Sequence, residues 1–363
     1  MIYELRFKIC DFFCNFAENF PTMQKNSAIL LTIFEASIWA SGYIKKNVTP
    51  SNIAYLVQYG LIRKIGENGS TQVLQSELQE YYRKYLTSRE KVKTDIYLGD
   101  CKEILKTIPD NSVDLIVTSP PYADQRKNTY GGISPQKYVE WFLPISKELL
   151  RVLKPTGTFI LNIKEKVVDG ERSTYVMELI LEMRKQGWFW TEEFIWHKKN
   201  CYPGKWSNRF RDAWERLLQF NKSKKFNMYQ DAVKIPIGDW ANGRLKKLSE
   251  TDKIRDNAKN GSGFGKNISN WVGKETVYPT NVVHLSTECN NKNHSAAFPN
   301  TLPEWFIKLF TQEGDTVLDP FAGSGTTNIV AQKMGRNSIG IEILPEYIDL
   351  IKSKIKETEI QLF

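Results

Sequence analysis

Short apolar runs alternate with amphipathic segments from Thr94 to the end of the chain. The apolar runs predict strands at 96–98, 113–117, 158–163, 188–196, 316–318 and 338–341. The amphipathic segments predict helices at 101–107, 135–153, 175–186, 303–310, 326–334 and from 345 onward. This alternation favours a parallel sheet covered by helices on both faces, which is an α/β fold.

Residues 1–92 are predicted to form a separate α-rich domain. Thr49 and Pro50 mark the start of a helix, because they supply an N-cap hydroxyl and a proline at the first helical position. A turn at 66–69, a short apolar run and a helix through Tyr85 follow. Helix, hairpin and helix in this order resemble small winged helix-turn-helix domains. A helical cap on the main domain fits the same pattern.

Residues 197–281 interrupt the alternation and carry the positive charge of the chain. The formal net charge of the whole chain is +9. This segment contains 18 Lys and Arg against 8 Asp and Glu, a net charge of +10, so the remainder carries about −1. Long irregular segments in compact domains are usually functional. A localised basic surface therefore indicates a polyanionic partner at this segment.

The five cysteines show no paired spacing of the secreted type, which favours a reducing, cytoplasmic location: Cys10, Cys14, Cys101, Cys201 and Cys289. No short Cys-x-x-Cys spacing accompanies the histidines, so no metal site is predicted. The apolar N-terminus contains several charged residues and no clear cleavage site, and no apolar stretch is long enough to cross a membrane. No membrane partner is expected.

The tetrapeptide Ser119-Pro120-Pro121-Tyr122 follows the apolar run 113–117 and Thr118. Ligands of open α/β sheets bind at the carboxyl ends of the strands, where this tetrapeptide is predicted to lie. The prolines fix φ and remove backbone donors, so a hydroxyl, carbonyl groups and an aromatic ring stand on a rigid turn. This set could hold a flat ring that carries an amino group. A strand followed by a plain Pro-Pro turn explains the tetrapeptide equally well by itself.

A glycine-rich turn, Asp319-Pro320-Phe321-Ala322-Gly323-Ser324-Gly325-Thr326-Thr327, lies between a predicted strand and a predicted helix. Its glycines let the backbone approach a ligand, and the helix start offers free N–H groups. The GxGxxG fingerprint of dinucleotide-binding folds fails here because Asn328 occupies the third position. Glu342 ends the next strand, where Rossmann-like folds bind ribose hydroxyls. Together these features indicate a nucleoside cofactor.

DPFAGSGTT with IGIE, TSPPY and HSAAFPNTLPEW together resemble the exocyclic-amino DNA methyltransferases that use S-adenosyl-L-methionine, over about residues 94–356. The resemblance implies a Rossmann-like class I methyltransferase sheet. Because the SPPY motif precedes the basic segment and the cofactor motif comes last, the order is that of the circularly permuted β class. The implied regions are a catalytic half at 93–196, a target-recognition region at 197–281 and a cofactor half at 282–363.

The same resemblance implies a set of cofactor-binding residues. Phe321, Gly323 and Gly325 would line the methionine part of the cofactor, with Asp319 and Thr326 in the same turn. Asp100 would meet the adenine, and Glu342 would bind the ribose. A segment with His294, Phe298 and Pro299 would help to close the methionine pocket. The family often has proline where Ser295 stands, so a structural, hydrogen-bonded role for His294 also stays open.

The resemblance implies that Ser119 and the Pro120 carbonyl accept hydrogen bonds from a target amine, while Pro121 holds the turn and Tyr122 stacks on the base after it is flipped from the duplex. A serine in this position favours the N4 amine of cytosine over the N6 amine of adenine, where Asp or Asn is usual. A carbon-5 cytosine methyltransferase would need a nucleophilic cysteine, normally after proline, and this chain contains no Pro-Cys pair.

Double-stranded DNA is the predicted partner, with contacts from basic and aromatic residues of the recognition region: Lys205, Trp206, Arg209, Arg211, Lys224, Lys225, Arg244, Lys246 and Lys247. The predicted function is site-specific N4-cytosine methylation, in a restriction-modification system or as an orphan modifier. N6-adenine methylation, RNA methylation and an inactive DNA-binding regulator are the alternatives. The sequence leaves a cognate restriction endonuclease and a homodimer open as partners.

Overall fold

The computed structural model describes residues 29–45, 47–58, 60–66, 71–89, 92–124, 131–201, 204–205, 207–238, 243, 245–246, 249, 272–287 and 298–361. These residues form two compact units. One contains the residues up to Val92 together with those from Ser353 onward, and the other contains Lys93–Lys352. The last turns of the C-terminal helix thus group with the first unit, whereas the sequence pattern assigned them to the cofactor half.

The first unit contains three helices and a two-stranded sheet within its described residues: β1 (Leu30–Thr32), α1 (Ile33–Ile44), α2 (Pro50–Gln58), β2 (Gln72–Leu74) and α3 (Gln75–Arg89). Antiparallel β1 and β2 pair, and Ile65 bridges to Gln72. Buried apolar side chains such as Ile53 and Leu78 form its own core. The helices before and after the predicted hairpin are present, but β2 pairs with β1, and the hairpin is reduced to the single bridge between Ile65 and Gln72. A winged helix-turn-helix identity and DNA contact by this unit stay predictions.

The second unit is built on one mixed sheet. Its strands are β3 (Thr94–Leu98), β4 (Val113–Thr118), β5 (Leu153–Ile163), the small hairpin β6 (Val167–Val168) and β7 (Glu171–Arg172), β8 (Phe189–Lys198), β9 (Trp214–Asn221), the pair β10 (Ile235–Pro236) and β11 (Thr276–Val277), β12 (Val282–Leu285), β13 (Thr316–Asp319) and β14 (Asn337–Glu342). The main sheet has the order β12-β8-β9-β5-β4-β13-β14-β3, and β9 alone runs antiparallel to its neighbours in it.

Helices cover both faces of this sheet: α4 (Cys101–Ile104), α5 (Pro135–Val152), α6 (Tyr175–Lys185), α7 (Thr301–Phe310), α8 (Thr326–Lys333) and α9 (Pro345–Gln361). The side chains of successive β4 residues point to opposite faces of the sheet. Ile116 packs into the cluster formed with α5 and α6, while Leu115 and Val117 pack into the cluster formed with α7 and α8. Every β4 residue is therefore buried, which explains its mostly apolar sequence. The one charged side chain in it, Asp114, pairs with Lys154 at 2.8 Å. Among the described helices, none has the length and apolar character needed to span a membrane.

The last two strands of the chain, β13 and β14, lie between β4 and β3 in the sheet. From β4 the chain passes through α5 to β5 on one side, whereas from β13 it passes through α8 to β14 on the other side. The crossover connections thus diverge between β4 and β13. Open α/β sheets bind ligands outside the carboxyl ends of the strands at such a point. The Ser119 turn and the glycine turn both begin there.

A buried carboxylate joins these two strand ends. Asp319, which is 2% exposed, accepts hydrogen bonds from the Thr118 hydroxyl at 2.6 Å and the Thr327 hydroxyl at 2.8 Å. Its first oxygen also accepts from the backbone N–H of Phe321 at 3.1 Å. Burial raises the pKa of Asp319 to about 6. The end of β4, the glycine turn and the first turn of α8 are therefore held by one side chain.

The sequence pattern missed parts of the sheet. Trp214–Asn221 and Val282–Leu285, assigned to the irregular recognition region and its border, form β9 and β12 of the main sheet. The assignment of 214–221 to a region outside the sheet was wrong. Glu215, Arg216 and Gln219 hide the strand signal, because they are polar side chains that the fold buries wholly or in large part. The hairpin of β6 and β7 was also missed.

Asp319→Asn tests the energetic role of this carboxylate. The folded pKa of about 6 lies above the ordinary value of 3.8, so the folded state binds the proton more tightly than the unfolded state. The wild type therefore loses stability relative to the uncharged variant as the pH rises from about 4 to about 6, by about 3 kcal/mol in total. Urea unfolding of both proteins across this pH range measures the difference. Parallel stability curves would contradict it.

Candidate active site

The turn after β4 is fixed by contacts on several sides. Pro120 and Ala123 are buried, and the Pro121 carbonyl accepts a hydrogen bond from the Tyr138 hydroxyl at 2.9 Å. Tyr138 belongs to α5, whose apolar face packs on the sheet. Because two prolines restrict the backbone and α5 anchors it, Ser119 stands in a defined position at the carboxyl end of β4.

A chain of hydrogen bonds leads from Ser119 into the protein. The Ser119 hydroxyl donates to the Tyr122 hydroxyl at 3.2 Å, and the Tyr122 hydroxyl donates to Oε2 of Glu215 at 2.7 Å. Glu215 is 7% exposed, and Asn162 and Lys198 hold its carboxylate at 3.1 Å and 2.5 Å. Burial, and next the charge of Glu215, raise the pKa of Tyr122 well above its usual value. We call this chain the Ser119 relay.

The direction of the Ser119 relay follows from its acceptor end. A carboxylate paired with Lys198 only accepts, so Tyr122 gives its single proton to Glu215. The Tyr122 oxygen can then only accept from Ser119, so the Ser119 hydroxyl proton is also engaged in a hydrogen bond. The lone pairs of Ser119 Oγ are left to accept a hydrogen bond from outside. The relay therefore presents Ser119 as an acceptor for an N–H group.

The glycine turn forms the neighbouring part of the crevice. Gly323 and Gly325 have positive φ angles of 52° and 77°, and a side chain on Gly325 would meet Ile351 at 2.8 Å. Gly325 caps α8, so the half-buried Thr326 begins that helix. The ring of Phe321 packs 5.9 Å from that of Trp141. The turn thus places the partly exposed Phe321 and Gly323 at the carboxyl end of β13.

Two acidic residues follow on the adjoining strands. The Glu342 carboxylate accepts from the backbone N–H groups of Gly323 at 2.7 Å, Ile343 at 2.9 Å and Leu344 at 3.0 Å. Its burial raises the pKa of Glu342. Exposed Asp100 caps α4 just beyond β3, and the N–H of the preceding Gly99 donates to the Glu342 carbonyl at 2.9 Å. The acids therefore lie at neighbouring strand ends beside the glycine turn.

The residues of this crevice fit S-adenosyl-L-methionine. Three backbone bonds take up most of the roughly four acceptor positions of the Glu342 carboxylate, which leaves room for a hydroxyl donor. Asp100 is exposed and can accept from an amino group. Buried or partly buried carboxylates also favour a ligand that carries a positive sulfonium. Gly323, which is partly exposed and lacks a Cβ, permits close approach of the ligand to the backbone.

Two further predicted cofactor residues lie immediately ahead of α7. Phe298 packs against the core cluster on the α7 face, and Pro299 is buried with its carbonyl accepting from the N–H of Leu302 at 3.0 Å. His294 lies outside the described residues. Contact of these residues with the cofactor stays a prediction.

The predicted DNA-binding residues fall into separate groups. Exposed Lys205 and Arg211 and the partly buried Arg209 lie between β8 and β9, at the edge of the sheet where Ser119 stands. Lys224 and Lys225 follow the other end of β9, at the opposite edge, where the Lys224 ammonium lies 5.8 Å from the ring of Phe189. Lys246 is exposed, and Trp206, Arg244 and Lys247 lie outside the described residues.

Sequence patterns did not identify Glu215, Lys198 or Asn162 as site residues. Each occupies a strand, and nothing in their spacing relates them to the SPPY motif, which lies 93 positions before Glu215. The available signal was the charged Glu215 among the apolar side chains of 214–221, a stretch that also contains Arg216. Burial of such a charge requires a partner, and here the partners are Tyr122, Lys198 and Asn162.

Comparisons with known proteins agree with this geometry. The chain is 34% identical over 280 residues to the type II methyltransferase M.PvuII of Proteus hauseri, covering 70% of this chain and 81% of the relative. It is 32% identical over 258 residues to the type II methyltransferase M.BglII of Bacillus subtilis, covering 70% and 67% of the two chains.

A solved structure, PvuII DNA methyltransferase, described as cytosine-N4-specific, matches with a TM-score of 0.55 at 28% identity and covers 75% of this chain and 92% of that one. The family profile for N6 and N4 methyltransferases, described as DNA methylase, matches residues 113–353. This match includes both the Ser119–Tyr122 turn and the glycine turn at 319–327. The chain therefore belongs to the N6/N4 DNA methylase family.

Proposed function

We propose that this protein transfers a methyl group from S-adenosyl-L-methionine to the exocyclic N4 amine of a cytosine flipped out of duplex DNA. The Ser119 relay is the observation that carries the proposal. It offers an oriented acceptor beside the glycine turn, at the point where the connections of the sheet diverge. The chain belongs to a family of S-adenosyl-L-methionine-dependent methyltransferases.

The relay addresses the chemical difficulty of the reaction. An exocyclic amine is a poor nucleophile, because its lone pair is delocalised into the ring. Ser119 Oγ and the Pro120 carbonyl would accept the two amine hydrogens, which favours a pyramidal nitrogen and frees its lone pair for attack. The bound cofactor supplies an electrophilic methyl group on its sulfonium. Positioning of the amine in line with that group accounts for much of the rate.

The same relay provides a path for the proton that the amine loses. When N4 gains a methyl group, one N–H proton must leave. It passes to Ser119 Oγ as Ser119 gives its proton to Tyr122 and Tyr122 gives its own to Glu215. Lys198 and Asn162 hold Glu215 in place to receive it. Tyr122 thereby acts through its hydroxyl as well as offering its ring to the flipped base.

Cofactor recognition is assigned to the adjoining strand ends. Glu342 would accept from ribose, Asp100 would meet the adenine, and the glycine turn with Phe321 would enclose the methionine part. The backbone bonds that hold Glu342 support this role, because they fix a carboxylate beside the turn before any ligand arrives. Such preorganisation lowers the entropy cost of binding.

The choice of cytosine rests on two supports. Ser119 occupies the position in which adenine-specific relatives usually carry Asp or Asn, and the matched PvuII enzyme is described as cytosine-N4-specific. Relatives of this chain are named type II methyltransferases. We therefore assign the protein a role in a restriction-modification system. Lys205, Arg209 and Arg211 would contact the phosphates of the bound duplex on the Ser119 side of the sheet.

Incubation with labelled S-adenosyl-L-methionine and unmethylated DNA, followed by digestion to nucleosides, is expected to yield N4-methylcytosine. Ser119→Ala is expected to lower the turnover number by roughly a hundredfold or more, because it removes an oriented acceptor that acts on the reacting amine. The affinity for the cofactor stays close to that of the wild type, since Ser119 lies outside the glycine turn.

Ser112→Ala is a matched control at the other end of β4, where the Ser112 hydroxyl only donates to the Pro109 carbonyl. N6-methyladenine as the product would contradict the assignment of the base. Absence of incorporation into any DNA would favour a DNA-binding regulator. Equal turnover of Ser119→Ala and Ser112→Ala would contradict the role of Ser119.

Glu215→Gln and Tyr122→Phe test the relay. Each is expected to lower the turnover number by roughly tenfold to a hundredfold. Glu215→Gln removes the charge that accepts from Tyr122, and Tyr122→Phe removes both hydrogen bonds of the Tyr122 hydroxyl. The double variant is expected to lose little more than either single variant, since both changes break the same chain. Single-turnover methyl transfer measures the effects. Wild-type turnover by Tyr122→Phe, or fully additive losses, would contradict the relay.

A further inference from the structure

Phe210 is the most exposed large apolar side chain in the part of the chain that the structure describes. It is 94% exposed, whereas the next, Phe34 in the other unit, is 65% exposed. Single exposed apolar side chains are common on protein surfaces. An aromatic ring that projects almost completely from a loop is unusual, however, because burial of even part of it would stabilise the fold.

The loop that carries Phe210 is held by the two residues that follow the ring, Arg211 and Asp212. The Asp212 carboxylate, two residues later, forms ion pairs with Lys164 at 3.2 Å and with Arg172 on β7. The Arg211 guanidinium donates to the Cys201 carbonyl at 3.0 Å. The loop is therefore anchored to the β6–β7 hairpin and to the end of β8, and these anchors leave the ring of Phe210 exposed.

The position of the loop relates Phe210 to the target base. β9 begins at Trp214, and its second residue, Glu215, reaches the Tyr122 hydroxyl at 2.7 Å. Phe210 precedes Glu215 by five residues, a span of at most about 18 Å. The ring thus projects at the same edge of the sheet as Ser119, within the dimensions of a DNA duplex bound over the crevice.

The charges beside Phe210 suit a duplex. Arg209 and Arg211 flank Phe210 in the sequence, with the Arg209 guanidinium 3.7 Å from the Asp212 carboxylate. Exposed Lys205 lies in the same segment between β8 and β9. Arginine and lysine contact phosphates, whereas apolar rings inserted between base steps unstack them. A ring between two arginines therefore combines the two elements that side-chain insertion into DNA requires.

We propose that Phe210 enters the duplex at the target position and takes the place of the flipped base. This proposal rests on the proposed DNA methylation. Flipping costs stacking and pairing energy, and a ring that fills the vacated space lowers that cost. Ser119 then acts on a base that Phe210 has helped to keep out of the stack.

The experiment compares two duplexes that contain the site methylated by the wild type, mapped first by sequencing methylated DNA. One duplex has the target base paired, and the other has it mispaired. Mispaired bases cost less to flip, so Phe210→Ala is expected to reduce methyl transfer by on the order of tenfold to a hundredfold on the paired duplex and little on the mispaired one. Phe210→Trp, which keeps a large ring, is expected to restore transfer on the paired duplex.

Trp190→Ala provides the matched control. Trp190 is 43% exposed and lies near the start of β8, at the opposite edge of the sheet, so its variant is expected to match the wild type on both duplexes. Thermal unfolding of each variant verifies folding. Equal losses for Phe210→Ala on both duplexes, or no loss on the paired one, would overturn insertion alone. If the sequencing finds no site that the wild type methylates, the proposed function is overturned, and insertion with it.

Discussion

The crevice depends on one buried carboxylate. Asp319 accepts hydrogen bonds from Thr118 and Thr327 and thereby joins strand ends that are 201 positions apart in the chain. Parallel pairing of β4 with β13 aligns these ends, but it does not orient the turns that leave them. The hydrogen bonds of Asp319 do so, and they offset much of the cost of placing a carboxylate in the interior. The raised pKa of Asp319 reflects the part of that cost that remains.

Acidic groups around the crevice have different surroundings, which suit different tasks. Backbone N–H groups hold Glu342, and side chains hold Glu215, including the ammonium of Lys198. A carboxylate held by the backbone of a turn changes little when that turn binds a ligand. A carboxylate at the end of a hydroxyl chain can instead respond to the group at its other end. The fold thus separates cofactor recognition from action on the target amine, although both occur at one edge of the sheet.

Much of the second unit follows from local pattern. The mostly apolar run 113–117 predicts a strand buried on both faces, and β4 contains this run with one further residue. The helices at 135–152, 175–185 and 301–310 lie within two residues of their predicted bounds. β9 escaped prediction because the fold buries Glu215 and Gln219. Local sequence shows such residues as polar and cannot reveal the distant groups that satisfy them.

The sequence by itself determined the two turns of the crevice, since the prolines of Ser119–Tyr122 and the glycines of 319–327 restrict or free the backbone locally. The sequence also determined that the positively charged segment 197–281 lies between these two turns along the chain. Only the tertiary structure decided that Tyr122 meets Glu215, and that Phe210 projects from an anchored loop at the same edge. Contacts across 93 positions depend on strand order and register, which arise from packing of the whole sheet.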